Sequence, residues 1–212
     1  MKKLLTLCFI ATTTFVLYSC GGSGNSNKAA TTDKPEEAVP TVTDFKMLGN
    51  EAEFKKVYNM AIDKLGDNIK HVSEITFRIS EQLEGGDEDD GDTYLTIMVQ
   101  YLHPKNSSKL EEYSYWSSSG KWADSPTTVT VTPIGDPEDF RLQDYLMDLS
   151  SLTFEKVNKA AQDVLAKHKD DEKYLFQYID EIRIEEGEIT VIINGKLRSN
   201  ELMKTEISSV SL

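Results

Sequence analysis

Two stretches of this 212-residue chain repeat one another at a spacing of 100, and that repeat constrains the fold more than any other feature. Phe54 to Leu65 and Phe154 to Leu165 share Phe, Lys, Val, Ala, Asp and Leu at 54/154, 56/156, 57/157, 61/161, 63/163 and 65/165. In the first stretch Phe54, Val57, Tyr58, Ala61, Ile62 and Leu65 fall at the spacing of one apolar helix face. Asn50, with Glu53 three residues later, reads as a helix start, and Gly66 as its stop. Runs rich in β-branched and aromatic residues follow, at Val72 to Ile79, Tyr94 to Leu102, Leu110 to Trp116 and Thr127 to Thr132. His103-Pro104-Lys105-Asn106 reads as a turn.

The segments after each helix also correspond. Glu74-Ile75 matches Glu181-Ile182, Leu95-Thr96-Ile97 matches Ile189-Thr190-Val191, and Met203 to Val210 supplies a third strand to the second half. The expected fold class is α+β: two tandem units, each a helix plus antiparallel strands, with the helices packed on one sheet face. The alternative is one α+β domain whose two helices resemble each other. The first unit is expected over 44–132 and the second over 151–212, joined by 133–150, where Pro133, Gly135 and Pro137 mark a turn. Phe140 to Leu149 fits either a helix or the start of a strand. The offset falls from 107 to 94 along the alignment, so the first hairpin is longer than the second. The excess holds the acidic run Glu84-Gly85-Gly86-Asp87-Glu88-Asp89-Asp90-Gly91-Asp92, which the repeated fold does not require.

Charge excludes one large class of partners. The chain has 36 acidic and 23 basic side chains, a net charge of −13, and a surface that acidic repels phosphate backbones. Two cysteines, Cys8 and Cys20, make neither a disulfide scaffold nor a cysteine zinc site.

The N-terminus carries an address. Met1-Lys2-Lys3 is a positive start, and Leu4 to Leu17 is an apolar stretch diluted by Thr6, Thr12, Thr13 and Thr14. It is short of the roughly 20 apolar residues of a membrane-spanning helix and reads as a secretory signal over residues 1–19. Leu17-Tyr18-Ser19-Cys20 resembles the lipobox of bacterial lipoproteins, with Leu17, Ser19 and Cys20 matching and Tyr18 larger than usual. The resemblance implies diacylglyceryl modification of Cys20 and anchoring by two or three acyl chains, each buried CH₂ contributing about 0.8 kcal/mol. By the same resemblance, Gly21 after the cysteine and the absence of acid over 21–28 imply an exported protein on the outer membrane, with its periplasmic face favoured over the cell surface. Residues 20–43, rich in Gly, Ser, Asn, Thr, Ala and Pro, read as a lipidated cysteine and a tether spanning about 25 Å.

Candidates for chemistry are few. The acidic run could offer oxygens to Ca²⁺, but its spacing fails the EF-hand pattern, with Gly91 at the fifth position and Asp92 where glycine is required. A solvated loop is the simpler reading. His71, His103 and His168 lie far apart in sequence, and His168 sits where a helix C-terminus favours positive charge. No metalloprotease, nucleophile-elbow or phosphate-loop motif occurs, so no catalytic residue, metal or cofactor is assigned. The remaining signal is aromatic. Tyr101, Tyr113, Tyr115 and Trp116 are candidate partner-binding residues, and in a strand Tyr113 and Tyr115 point one way and Trp116 the other.

The doubled helix-then-strands unit resembles, in architecture alone, the PepSY-like domains and the tandem β-lactamase-inhibitor-protein-like fold. That resemblance implies an open sheet face, or the loops at its edge, contacting another protein, in some members as an inhibitor. The expectation is therefore a non-enzymatic envelope lipoprotein that binds a protein, peptide or glycan through an aromatic-bearing sheet face. The alternatives are an extracytoplasmic hydrolase with a carboxylate or histidine site, and a structural envelope subunit. Oligomeric state is left open.

Overall fold

The structure is a computed structural model and describes residues 44–82, 92–132 and 140–212. Cys20, the signal, the tether before residue 44 and the acidic run up to Gly91 lie outside the described residues; Asp92 opens a strand. Among the described residues no helix is long and apolar enough to cross a membrane.

The elements run α1 (Glu51–Leu65), β1 (Val72–Gln82), β2 (Asp92–Leu102), β3 (Lys109–Trp116), β4 (Lys121–Trp122), β5 (Thr127–Thr130), α2 (Phe154–His168), β6 (Tyr174–Glu185), β7 (Glu188–Leu197) and β8 (Met203–Ser211). All eight strands form one antiparallel sheet in the order β4-β3-β2-β1-β6-β7-β8, with β5 also pairing to β3. The molecule is thus mixed α+β and mostly sheet. Each helix is followed by three consecutive antiparallel strands, and the first strands of the two sets, β1 and β6, pair at the centre.

Local chemistry starts both helices. Asn50 Oδ1 accepts from the N–H groups of Ala52 and Glu53, at 3.0 and 3.3 Å. Thr153 Oγ1 accepts from Lys156 N–H at 3.3 Å. Each cap is worth about 1 kcal/mol, because it satisfies a donor the helix cannot. Gly66, at φ 51°, ends α1 in a conformation that costs other residues their Cβ clearance.

Buried residues of α1, of α2 and of alternate strand positions belong to one hydrophobic cluster. Phe54 of α1 packs edge-on against Phe77 of β1, ring centroids 5.3 Å apart, and against Phe154 of α2 at 5.5 Å. Ile75, Phe77 and Ile79 of β1, Leu95, Ile97 and Val99 of β2, and Ile182, Ile184, Ile189, Val191 and Ile193 of β6 and β7 complete this core. Tyr58, whose hydroxyl donates to Leu152 O at 3.0 Å, lies between Phe77 and Phe154. Burial, aided by the Glu155 carboxylate, pushes its phenol up to about 12.

The ambiguous segment resolves as neither helix nor strand. Leu142–Tyr145 is one 3-10 turn, and Met147 then makes an isolated bridge to Val72. Gln143 Nε2 donates to Ser107 O at 3.2 Å and Leu149 N–H to Ile69 O at 3.0 Å, so the connector is fastened by one two-bond bridge and isolated hydrogen bonds rather than by a ladder.

Candidate binding face

Strand alternation gives the sheet a second face, away from the Phe54 core. Register places on it Thr96, Met98 and Gln100 of β2, Glu112, Ser114 and Trp116 of β3, Glu74, Thr76 and Arg78 of β1, and Glu181, Arg183 and Glu185 of β6. Beyond these come Thr190, Ile192 and Asn194 of β7 and Thr205, Ile207 and Ser209 of β8.

The aromatic candidates divide between the faces. Tyr101 and Tyr115 are 4% and 2% exposed and belong to the core, where Tyr115 lies opposite Ile97. Tyr101 donates to Glu111 Oε2 at 3.0 Å, and its phenol is pushed up by burial and by that carboxylate. Tyr113 is partly buried, and the Lys64 ammonium covers its ring at 3.5 Å from the centroid. Burial against this ring holds the Lys64 amine below its ordinary value. Trp116 faces the other way, opposite Thr96, and is 40% exposed. Three of the four rings are therefore engaged by the fold, and Trp116 is the one presented outward.

A second aromatic group on this face was not read from sequence. Phe45 meets Tyr178 edge-on at 5.0 Å and Phe176 at 5.6 Å. Tyr178 and Phe176 pair with Asn194 and Lys196, on the side of the sheet that carries Ile192. A bulge between Ile179 and Glu181 moves them there. The signal was obscured because the bulge, at Asp180, shifts the alternation by one residue within a single strand.

Between the two aromatic ends lies a charged centre. The Arg183 guanidinium bonds Glu181 through Nη2, reaches Glu185 Oε1 at 3.3 Å through Nη1, and has its Nε 3.6 Å from Glu74 Oε1. Arg78 Nε lies 3.6 Å from the other oxygen of Glu181. Thr76 Oγ1 donates to Glu74 Oε1 at 2.5 Å. Glu181 is 3% exposed, so its two guanidinium partners are what make its charge tolerable there. Burial, reinforced by Glu185 and Glu181, pushes the Glu74 carboxyl up, against the pull of Thr76 and Arg183. Burial pulls Arg183 down, but Glu181, Glu185 and Glu74 outweigh it and hold the guanidinium above its usual range. Beside this group Gln100 Nε2 donates to Glu112 Oε2 at 2.8 Å, while the buried Gln100 Oε1 has no protein partner among the described residues.

The histidines are separate, and among the described residues no group of three or more metal-ligating side chains comes together. His103 Nδ1 accepts from Lys105 N–H at 3.0 Å in the turn after β2, and His168 Nε2 lies 2.9 Å from Ser208 Oγ. His71 stands just before β1. One cleft of about 210 Å³ is lined by Leu165, Lys169, Asp171, Tyr174, Phe176 and Gln177. That is below the size of small-molecule sites, and the raised Glu74 carboxyl is not among its walls.

Compared with protein-family models, with curated proteins and with solved structures, the chain matches none of them.

Proposed function

We propose that this chain is a non-enzymatic envelope lipoprotein, anchored through Cys20, that binds a protein, peptide or glycan partner on the second face of its sheet. The carrying observation is Trp116. It is a large ring, 40% exposed, on a face whose neighbouring strands carry the Gln100–Glu112 hydrogen bond and the Arg183 ion pairs. A rigid surface with an exposed indole suits recognition, because the ring adds contact area at little cost in side-chain entropy. The hydrolase alternative asks for a carboxyl of raised pKa in a cleft; the Glu74 carboxyl is held by Thr76 and Arg183 instead.

The same reading takes the two helix-plus-three-strand halves as tandem units, with both helices on one face. Support comes from residues that the repeat makes equivalent. Phe54 touches Phe154, Lys55 Nζ lies 3.5 Å from Glu155 Oε1, and Thr76 pairs with Arg183, its counterpart at the 107 offset. Equivalent residues that meet in an antiparallel pairing are what a local two-fold axis between the halves would produce.

The test is affinity capture from an envelope extract with the full chain, compared with Trp116→Ala and with Tyr115→Phe as a core control. The expected result is a partner lost with Trp116→Ala and kept with Tyr115→Phe. A partner retained equally by Trp116→Ala overturns the site, and no captured partner overturns the binding reading. Cys20→Ser should move the chain from the membrane pellet to the soluble fraction; retention in the pellet overturns the anchor.

A further inference from the structure

Seven large apolar side chains are exposed among the described residues, and four of them, Leu202, Met203, Ile207 and Val210, lie on or beside β8. This strand ends the sheet, and no described strand takes up its outer side.

The direction of its backbone groups follows from the two ends of its ladder. Leu197 N–H donates to Leu202 O at 2.9 Å, and Leu212 N–H donates to Gly187 O at 2.8 Å. Antiparallel partners alternate between bonded and non-bonded pairs, and the β7–β8 register runs without a shift. The even-numbered residues of β8 therefore bond β7. The N–H and C=O groups of Met203, Thr205, Ile207, Ser209 and Ser211 point outward.

The other margin of the sheet is built differently. There β4 and β5 are two and four residues long, pair with different ends of β3, and are separated by residues 123–126, which close on Pro126. Short strands, a break and a proline are devices that stop further pairing. β8 has none of them: it is nine residues long, straight in register and free of proline, and its lysine, Lys204, is held by Glu206 at 2.6 Å.

We propose that β8 pairs antiparallel with β8 of a second copy, about a two-fold axis through Ile207, so that two sheets become one. The strand is self-complementary in that register. Ile207 opposes Ile207, Thr205 opposes Ser209 and Met203 opposes Ser211, so every outward-bonding residue meets another and all nine residues overlap. Lys204 falls opposite Val210 and Glu206 opposite Ser208, so no like charges face each other. Ile207, 62% exposed beside Ile192, is covered by its own copy at the axis. An unrelated peptide would use the same backbone groups, but nothing in the strand selects one, whereas its own sequence satisfies parity, length and charge together. Nine residues a side is a small contact, so the pairing is concentration-dependent rather than obligate. The inference is independent of what the second face binds.

The test is sedimentation equilibrium of the full chain in density-matched detergent, with amide exchange at β8 over a dilution series. The expected mass at high concentration is two copies, falling to one on dilution. The amides of Thr205, Ile207 and Ser209 should then lose protection while those of Glu206 and Ser208 keep it. Ile207→Lys and Ser209→Pro should each remain single copies with an unchanged circular-dichroism spectrum; the proline removes an outward N–H and an exposed hydroxyl contact to Thr190 at 2.9 Å, and leaves the bonds of β8 to β7 in place. A parent that stays a single copy with freely exchanging outward amides overturns the proposal. So do outward amides whose protection survives dilution in a single copy, which places the chain's own residues on that edge. A dimer that persists in both variants overturns it as well.

Discussion

Thr76 and Arg183 face each other across the β1–β6 pairing, at the midpoint of the five residue pairs that join the two halves of the sheet. One is a small hydroxyl and the other a long cation, so the guanidinium extends across the space its partner leaves. From there it gathers Glu181 and Glu185 from its own strand and approaches Glu74 from the next.

Removing that cation should be costly. Arg183→Met leaves Glu181, which is almost fully buried, with only Arg78 for compensation. Breaking a fully buried pair costs about 3–5 kcal/mol. A third of the Arg183 side chain is open to solvent, so a loss of about 2 kcal/mol is expected. The urea midpoint measures it, and adding Glu181→Gln should recover part of the loss. An unchanged midpoint in Arg183→Met would show that solvent already carries the Glu181 charge.

Glu74 sets a pH dependence of defined sign. Its carboxyl is raised in the folded chain, so the folded state holds this proton more tightly than the unfolded state does. Its contribution is most favourable below the unfolded carboxylate value of about 4.3 and is lost as pH rises through the higher folded value. Glu74→Gln keeps an acceptor for Thr76 and removes the charge. The stability of this variant relative to the parent should therefore rise from pH 4 upward and level off once the folded carboxyl has ionised. Denaturant midpoints across pH 4–8 test this, and a difference that falls with pH contradicts the assignment.

Gly195 in β7 marks a close approach. A Cβ there would lie 2.7 Å from Tyr174 Cδ1 and 2.9 Å from Gln177 Cγ. Gly195→Ala should cost about 1–3 kcal/mol by overpacking. The strain should displace Tyr174 from its hydrogen bond to Glu206, now 3.1 Å long. Tyr174→Ala removes the ring part of the clash and leaves the Gln177 contact, so Gly195→Ala should cost less in the Tyr174→Ala background than alone. Thermal melts of the four chains in this cycle give the coupling.

Much of the frame was legible because it is local. The stripe from Phe54 to Leu65, the Asn50 cap and the Gly66 stop need only neighbouring residues, and α1 runs Glu51–Leu65. The five strands that were given bounds from sequence, β1, β2, β3, β5 and β8, begin and end within three residues of them, whereas β4 had no expected counterpart. Their register was less legible. The sequence alignment matches Ile97 with Val191, whereas Ile75 faces Val99 and Ile182 faces Val191, which under the proposed tandem reading is a two-residue slip. Strand periodicity repeats every two residues, so such a slip leaves the inside-outside pattern unchanged. The opposed directions of Tyr115 and Trp116 followed from alternation, whereas which of them met the core depended on helices distant in sequence. Glu74 and Arg183 could not be singled out among 36 acids and 23 bases, because strand pairing alone brings them together. The available hint was charge complementarity: Glu74, Thr76 and Arg78 alternate with Ile75, Phe77 and Ile79, as Glu181, Arg183 and Glu185 do with Ile182 and Ile184.

The broken margin made by β4 and β5 has a consequence for assembly. A sheet that can accept a strand at both sides has no natural last member, and addition of identical copies grows a filament. This one offers β8 at one side and an interrupted, proline-bearing border at the other. If β8 pairs as proposed, addition there uses up the unbroken outer border, and the interrupted far side limits the stoichiometry to two.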